Sequence, residues 1–278
     1  MSDTRVGFVL IGLLAITLLI GCGEEDPAVS VAAPAAPDPR TEVMERTVTR
    51  FAAAAQLMPG NLQEGHLPSS LAPLILVKDS VIGQWGAVGA DGALEVAGAP
   101  VVYYGLTRAL ISGKHHAQYH YHWWHRADAD ADWRSQGVRI TVDGSGLPMV
   151  WEVLHDATGQ RVLYVSEKLE QAARRRHGEP EAGYALARDP EELPDVVVAR
   201  ALTDGPVSMG PWVYLESGAG DVVTLICRCM PSQASGPLER TDYRLVPWNE
   251  LARLPDPWPQ EPADAPWNER LDGWLRWP

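Results

Sequence analysis

The run Gln118-Tyr119-His120-Tyr121-His122-Trp123-Trp124-His125 lies near the middle of the chain and concentrates histidine with aromatic residues. Five of the eight histidines occur between residues 115 and 125. Successive side chains of a β-strand point to opposite faces, so His120 and His122 would share one face of such a strand. The pattern predicts a β-strand that carries two neighbouring imidazoles.

Three segments after this run predict more strands. Apolar and polar residues alternate in Val138–Val142, which predicts a half-buried strand. Residues Met149–His155 are apolar on both faces except for Glu152, and Arg161–Val165 follows after a turn. Together these segments predict an antiparallel meander of at least three strands.

The segments before the histidine-rich run carry mixed signals. They predict a helix at 41–55 ended by Pro59-Gly60, a strand at 74–77, a hairpin within 83–98, a strand at 101–104 and a helical turn at 106–111.

The segments after the meander predict a helix and further strands. The helix starts at a Ser166 cap and ends at Arg176, and the strands are expected at 196–201, 212–216 and 222–227. Residues 41–278 are therefore expected to form a single α+β domain, with a mainly antiparallel sheet, a few helices and a Pro/Trp-rich C-terminal segment.

The C-terminal segment begins at Pro247 and is interrupted by prolines, which excludes central strands there. Its tryptophans are Trp248, Trp258, Trp267, Trp274 and Trp277. They are expected either to cover the domain as large apolar side chains or to form an aromatic platform for a sugar or peptidoglycan.

The N-terminus carries a targeting signal. A short polar head with one cation precedes an apolar run of fifteen residues, Val6–Ile20. The last two residues of this run begin the motif Leu19-Ile20-Gly21-Cys22. This arrangement resembles a bacterial lipoprotein signal peptide that ends in a lipobox. The resemblance covers residues 1–22, and it implies that signal peptide 1–21 is removed and that Cys22 is lipidated.

The resemblance also implies a location. A diacylglyceryl group on Cys22 would anchor the chain stably, because two acyl chains bind membranes firmly. Residues 22–40 are acidic and rich in Pro and Ala, which predicts an extended tether after the lipid. Gly23, not Asp, follows Cys22, and by the same resemblance this favours the outer membrane, facing the periplasm.

The net charge of −13 argues against nucleic acid as a partner and against broad adsorption to anionic lipid. The chain also lacks a nucleophile elbow, a P-loop and a dinucleotide-binding fingerprint. The membrane is therefore the expected partner, reached through the lipid, and an envelope protein or glycan partner stays open.

Residues 118–123 resemble the zinc strand of the α-carbonic anhydrases, in which two histidines of such a run bind zinc. The resemblance would make His120 and His122 metal ligands, but residues near Ser145 supply no third histidine, so convergence is the interpretation and not kinship. A zinc or copper site could be completed by His155, with Glu152 as a further ligand or supporting partner. The alternative is that the histidines pack on the sheet, and that Glu152 meets a cation, a histidine or another hydrogen-bond donor.

Cys227 and Cys229 are the two cysteines that remain beside Cys22. In an exported protein two thiols usually form a disulfide. On an extended strand their Cα atoms would be near the upper limit for a bridge, so the backbone would have to turn or the bond would be strained, which would suit a redox role. Two alternatives stay open, a soft metal site with Met230 and a pair of inert buried thiols.

Two classes of function follow from these patterns. One is a membrane-anchored envelope lipoprotein that binds a partner or has a structural role. The other is a metal-dependent envelope protein, such as a hydrolase or lyase, that uses His120 and His122. The sequence by itself does not decide between an enzyme and a protein without catalysis.

Overall fold

A computed structural model describes residues 51–63, 65–79, 83–154, 161–178, 196–203, 205, 207–218, 220–229, 236–253 and 255. All of these residues belong to a compact unit that comprises residues 37–278. The predicted signal peptide, Cys22 and the predicted tether lie outside the described residues.

The described residues form a β-rich fold with thirteen strands and two α-helices. The strands are β1 (Ala54–Pro59), β2 (Leu74–Lys78), β3 (Gln84–Val88), β4 (Leu94–Val96), β5 (Val101–Ile111), β6 (Lys114–Arg126), β7 (Arg134–Val142), β8 (Pro148–Leu154), β9 (Arg161–Ser166), β10 (Val196–Leu202), β11 (Pro211–Leu215), β12 (Val222–Cys227) and β13 (Leu238–Pro247). The α-helices are α1 (Leu67–Leu71) and α2 (Glu167–His177), and a short 3₁₀ helix spans Trp248–Glu250.

The sheet is mixed but mainly antiparallel. Its strands follow the order β10-β9-β8-β7-β6-β5-β13-β1-β2-β11-β12, and the β3–β4 hairpin joins through β6. Strands β5 to β9 pair antiparallel in chain order. The expected α+β class is therefore confirmed, and the meander, predicted to have at least three strands, has five.

Strand β5 is longer than predicted. The predicted helical turn at 106–111 is wrong, because β5 continues to Ile111 and pairs with β6 as far as Lys114. Ser112 and Gly113 connect the two strands, and both have positive φ angles, of 47° and 73°. Such a two-residue turn matches the twist of the strands that it joins, so the hairpin imposes extended backbone on this segment.

The helix predicted at 41–55 does not reach its expected end, because β1 begins at Ala54. Residues 41–50 lie outside the described residues. Strand β1 pairs with β2 on one side and β13 on the other. Ala54, Ala55 and Leu57 are fully buried, so both faces of the strand are buried and no period-two pattern marks it in the sequence.

Strand β13 had no counterpart among the sequence predictions. It lies between β1 and β5 and runs parallel to both. It therefore joins the strands from β10 to β5 to the group β1, β2, β11 and β12. Four of its ten residues are exposed in a row and only Tyr243 and Leu245 are buried. The Tyr243 hydroxyl donates a hydrogen bond to the Pro73 carbonyl at 2.8 Å, which ties β13 to the start of β2.

The two faces of the meander differ in chemistry. The largest apolar cluster lies on the face of Tyr121 and Trp123, with Ile140 of β7 and Val153 of β8. The opposite face carries His120 and its neighbours across the strands. Strand β7 was predicted to be half buried, but the polar side of the strand is buried as well, because Arg139 is only 2% exposed.

Helix α2 confirms the predicted start and extends one residue beyond the predicted end. The Ser166 side chain caps it and accepts a hydrogen bond from the Leu169 amide at 3.1 Å. Gly178, with a φ angle of 88°, follows its last turn. Within the described ranges, neither α-helix has the length and apolar character that a membrane crossing requires.

Candidate functional site

His120 and His122 lie side by side on one face of β6, as the alternation of the strand predicted. Their ring centroids are 6.3 Å apart and their ring planes differ by 13°. The side chains are 0% and 1% exposed, so neither ring contacts bulk solvent. The two imidazoles are thus part of the protein interior.

His120 is held by its neighbour on β5. Its Nε2 atom lies 2.7 Å from the Thr107 hydroxyl oxygen, and the two atoms share a hydrogen bond whose direction depends on the tautomer of the ring. The same hydroxyl lies 3.4 Å from the Gln118 side-chain oxygen, to which it can donate. Gln118 in turn donates to the Thr141 hydroxyl at 3.1 Å. A buried polar network therefore surrounds His120, as buried polar groups require.

Trp248 covers both histidines. Its ring centroid lies 5.3 Å from that of His120 and 5.8 Å from that of His122. Pro247 pairs with Tyr104 at the end of β13, so the next residue, Trp248, reaches over Gly105 to the histidine pair. This tryptophan covers a buried surface, as expected, whereas Trp258, Trp267, Trp274 and Trp277 lie outside the described residues.

Glu152 lies in register with His120, with Arg139 of β7 between them. The Arg139 side chain donates to Oε2 of Glu152 through Nε at 2.8 Å and also through its terminal NH₂ group. Arg161 donates to the other carboxylate oxygen, Oε1, at 2.8 Å. We call Arg139, Glu152 and Arg161 the Arg–Glu–Arg triad. It provides the cation partner that the sequence led us to expect for a buried carboxylate.

The triad disfavours Glu152 as a metal ligand. Arg139 and Glu152 are each 2% exposed, so their charges interact in a low-dielectric interior. Both oxygens of Glu152 accept hydrogen bonds from guanidinium groups, and two positive charges stand next to the carboxylate. A metal cation at Glu152 would have to displace an arginine and would be repelled by the other one.

The remaining predicted ligand, His155, lies outside the described residues. Within the described part of the chain, no three His, Cys, Asp or Glu side chains come together as a group that could hold a metal ion. The structure therefore brings His120 and His122 together on β6 and places Glu152 two strands away, on β8, in the triad.

Cys227 and Cys229 are joined by a disulfide. Strand β12 ends at Cys227, and residues 228 and 229 form a turn. The turn brings the two Cα atoms to 5.2 Å, inside the range that disulfides occupy. Of the two outcomes expected for a bridge between these cysteines, a backbone turn or a strained bond on an extended strand, the structure shows the backbone turn.

A small open pocket lies beside this disulfide, and we call it the disulfide pocket. It encloses about 480 Å³ including the solvent at its mouth. Its walls come from the β7–β8 turn, the start of α2 and the segment before β11. Cys227, Met149, Met209, Gly205 and Arg228 are among the lining residues.

Sequence reasoning missed several of these contacts. The prediction of a half-buried β7 implied a solvent-facing Arg139, whereas the pairing of β6 with β7 places this residue opposite His120. Trp248 was recognised as a covering residue, but not as the cover of the histidines, because β13 was not predicted. The disulfide pocket joins segments that are distant in sequence, and no local pattern marks such a site.

Comparison with known proteins adds no family to these observations, since the chain matches no protein-family model, no curated protein and no solved structure.

Proposed function

We propose that this chain is a cell-envelope lipoprotein of the binding or structural type, anchored in a membrane through lipidated Cys22. The observation that carries the proposal is the apolar run Val6–Ile20, whose last two residues begin the motif Leu19-Ile20-Gly21-Cys22. Its length, its small residue before the cysteine and its position at the N-terminus match a lipoprotein signal. The outer membrane, with the domain facing the periplasm, is the proposed location.

The Cys227–Cys229 disulfide supports export of the domain. Disulfides persist in oxidising compartments such as the bacterial periplasm and are rare in the cytosol. This observation is independent of the N-terminal signal, because it concerns residues at the other end of the chain.

The setting of the histidines favours a binding or structural role over metal-dependent catalysis. His120 shares a hydrogen bond with Thr107, and Trp248 covers both rings. A catalytic zinc site keeps a coordination position open to water or substrate. Two imidazoles that are almost fully buried under an indole ring suit the packing of a sheet better than such a site.

The lipid anchor can be tested by metabolic labelling with a fatty acid in a bacterial host. Wild-type protein should carry the label, sediment with membranes and fractionate with the outer membrane. The Cys22→Ser variant should carry no label. The double variant Cys227→Ser with Cys229→Ser is the matched control and should be labelled like wild type. Equal labelling of wild type and Cys22→Ser would overturn the proposal.

A further inference from the structure

The Cys227–Cys229 disulfide differs from a buried structural bridge in its exposure. Cys229 is exposed in the turn after β12, whereas Cys227 is 8% exposed and lines the disulfide pocket. One sulfur thus belongs to an accessible residue and the other to a sheltered one. This arrangement suits dithiol–disulfide exchange. In that reaction an incoming thiolate attacks one accessible sulfur, and the other sulfur is the leaving group.

The local backbone favours Cys227 as the leaving group. The amide of Cys229 donates a hydrogen bond to the Sγ atom of Cys227, at 3.1 Å. A hydrogen bond to a thiolate stabilises the charged form, and a stabilised thiolate leaves faster. Arg228, between the two cysteines, also lines the pocket, and its guanidinium donates a hydrogen bond to the Ala72 carbonyl.

The pocket beside the bridge is suited to a polypeptide. Met149, Met209 and Val207 line it, and Val207 is 55% exposed. Methionine side chains adapt to varied apolar partners, so they suit a surface that accepts more than one sequence. An extended segment with apolar residues beside a cysteine would bury these side chains while its sulfur approaches Cys229.

We propose that the Cys227–Cys229 disulfide is an exchange site that oxidises two cysteine thiols of an extended polypeptide segment lying in the disulfide pocket. A partner thiolate attacks Sγ of Cys229, a new S–S bond forms, and the electron pair of the broken bond leaves on Sγ of Cys227. The second partner thiolate then attacks the partner sulfur of this mixed disulfide. The partner's own disulfide forms, and the electron pair passes to Cys229.

The step balances without a further reactant. The partner loses two electrons and two thiol protons, and Cys227 and Cys229 gain them as two thiols. The proposal does not depend on the lipid anchor, so it is tested in full-length chain with Cys22→Ser, in which residues 227 and 229 are the remaining cysteines. Its failure would leave the proposed anchor untouched.

The first experiment asks which sulfur accepts the thiol. Single variants Cys227→Ser and Cys229→Ser are incubated with glutathione disulfide, and mixed disulfides are counted by mass spectrometry. Cys229, which remains in Cys227→Ser, should react about tenfold faster than Cys227 in the other variant, because Cys229 is exposed and Cys227 is buried, and access limits the reaction. Equal rates, or faster reaction of Cys227, would overturn the proposal.

The second experiment tests the pocket with a reduced peptide that carries two cysteines among leucines. A Cβ atom at Gly205 would lie 4.0 Å from Sγ of Cys227, in ordinary contact, so a larger side chain there should fit and cover the sulfurs. Gly205→Val should slow peptide oxidation about tenfold by restricting access, and Gly205→Ala should slow it less. Gly98→Val is the control, because no described atom lies within 4 Å of the Cβ position there.

Thiols are followed by a mass-tagged maleimide under native conditions, and melting curves verify that each variant is folded. A bridge that the peptide reduces only after denaturant is added would overturn the proposal and assign the disulfide a structural role. Undiminished oxidation in folded Gly205→Val would overturn it as well.

Discussion

Gly105 and Trp248 occupy adjoining space so closely that no side chain fits at Gly105. A Cβ atom placed there would lie 1.8 Å from the nearest carbon of the Trp248 ring. The glycine lies on β5 opposite His120, so its missing side chain lets the indole reach the histidines. The absence of a side chain at Gly105 thus allows the 3₁₀ helix Trp248–Glu250 to pack against β5 and β6.

Gly105→Ala should lower the free energy of unfolding by about 1–3 kcal/mol, since overpacking forces the ring or the strand to move. Urea denaturation measures the change, with Gly98→Ala as the exposed control. In a Trp248→Ala background the same substitution should cost little, because the clash is gone. An equal cost in both backgrounds would show that the indole does not restrict Gly105.

Glu152→Gln should destabilise the protein by about 3–5 kcal/mol, because it leaves the buried Arg139 without its counter-charge. Glu216→Gln is the matched control. Its carboxylate pairs with Lys78 at 2.8 Å, but the two side chains are 41% and 37% exposed. An exposed pair of this kind contributes about 0–1 kcal/mol. Similar losses in the two variants, measured by urea denaturation, would contradict the importance of the triad.

A packing role and a metal-binding role for His120 and His122 predict opposite effects of metal on thermal stability. We expect zinc or copper to leave the melting temperature of the wild-type protein unchanged, and His120→Ala with His122→Ala to lower it without metal. A ligand bound only to the native state would instead stabilise by about 2.7 kcal/mol at a hundredfold excess over Kd. Such a rise in wild type, absent from the double variant, would establish the metal-dependent alternative.

Tyr243 should make the protein less stable at alkaline pH. Burial raises the pKa of its hydroxyl above the usual value, and burial does the same for Tyr121. The unfolded chain loses these protons near pH 10 while the folded chain keeps them, so stability is complete below about pH 10 and falls as pH rises. Thermal melts at increasing pH measure this decline.

The control for this pH dependence is Tyr243→Phe. The variant should lose some stability at neutral pH, because its hydrogen bond to the Pro73 carbonyl is missing. Its decline above about pH 10 should be shallower than that of wild type. Parallel curves for the two proteins would assign the alkaline loss to other groups.

Local patterns in the sequence were sufficient for several elements. Alternation predicted β6 and the shared face of His120 and His122. The serine cap predicted the start of α2, and the helix ends one residue beyond the predicted end at Arg176. These features depend on neighbouring residues and on backbone geometry, so a short window of sequence contains the information that they require.

The sequence by itself determined the β-rich class, the meander and the shared face of the histidine pair, and it predicts the N-terminal lipoprotein signal. Only the tertiary structure decided that β13 pairs between β1 and β5, that Trp248 covers His120 and His122, and that Glu152 meets two arginines. The physical reason is that these contacts join residues far apart in the chain. These contacts are stabilised by strand pairing and by burial across the sheet. The local propensity of a segment does not indicate which distant strand will pair with it.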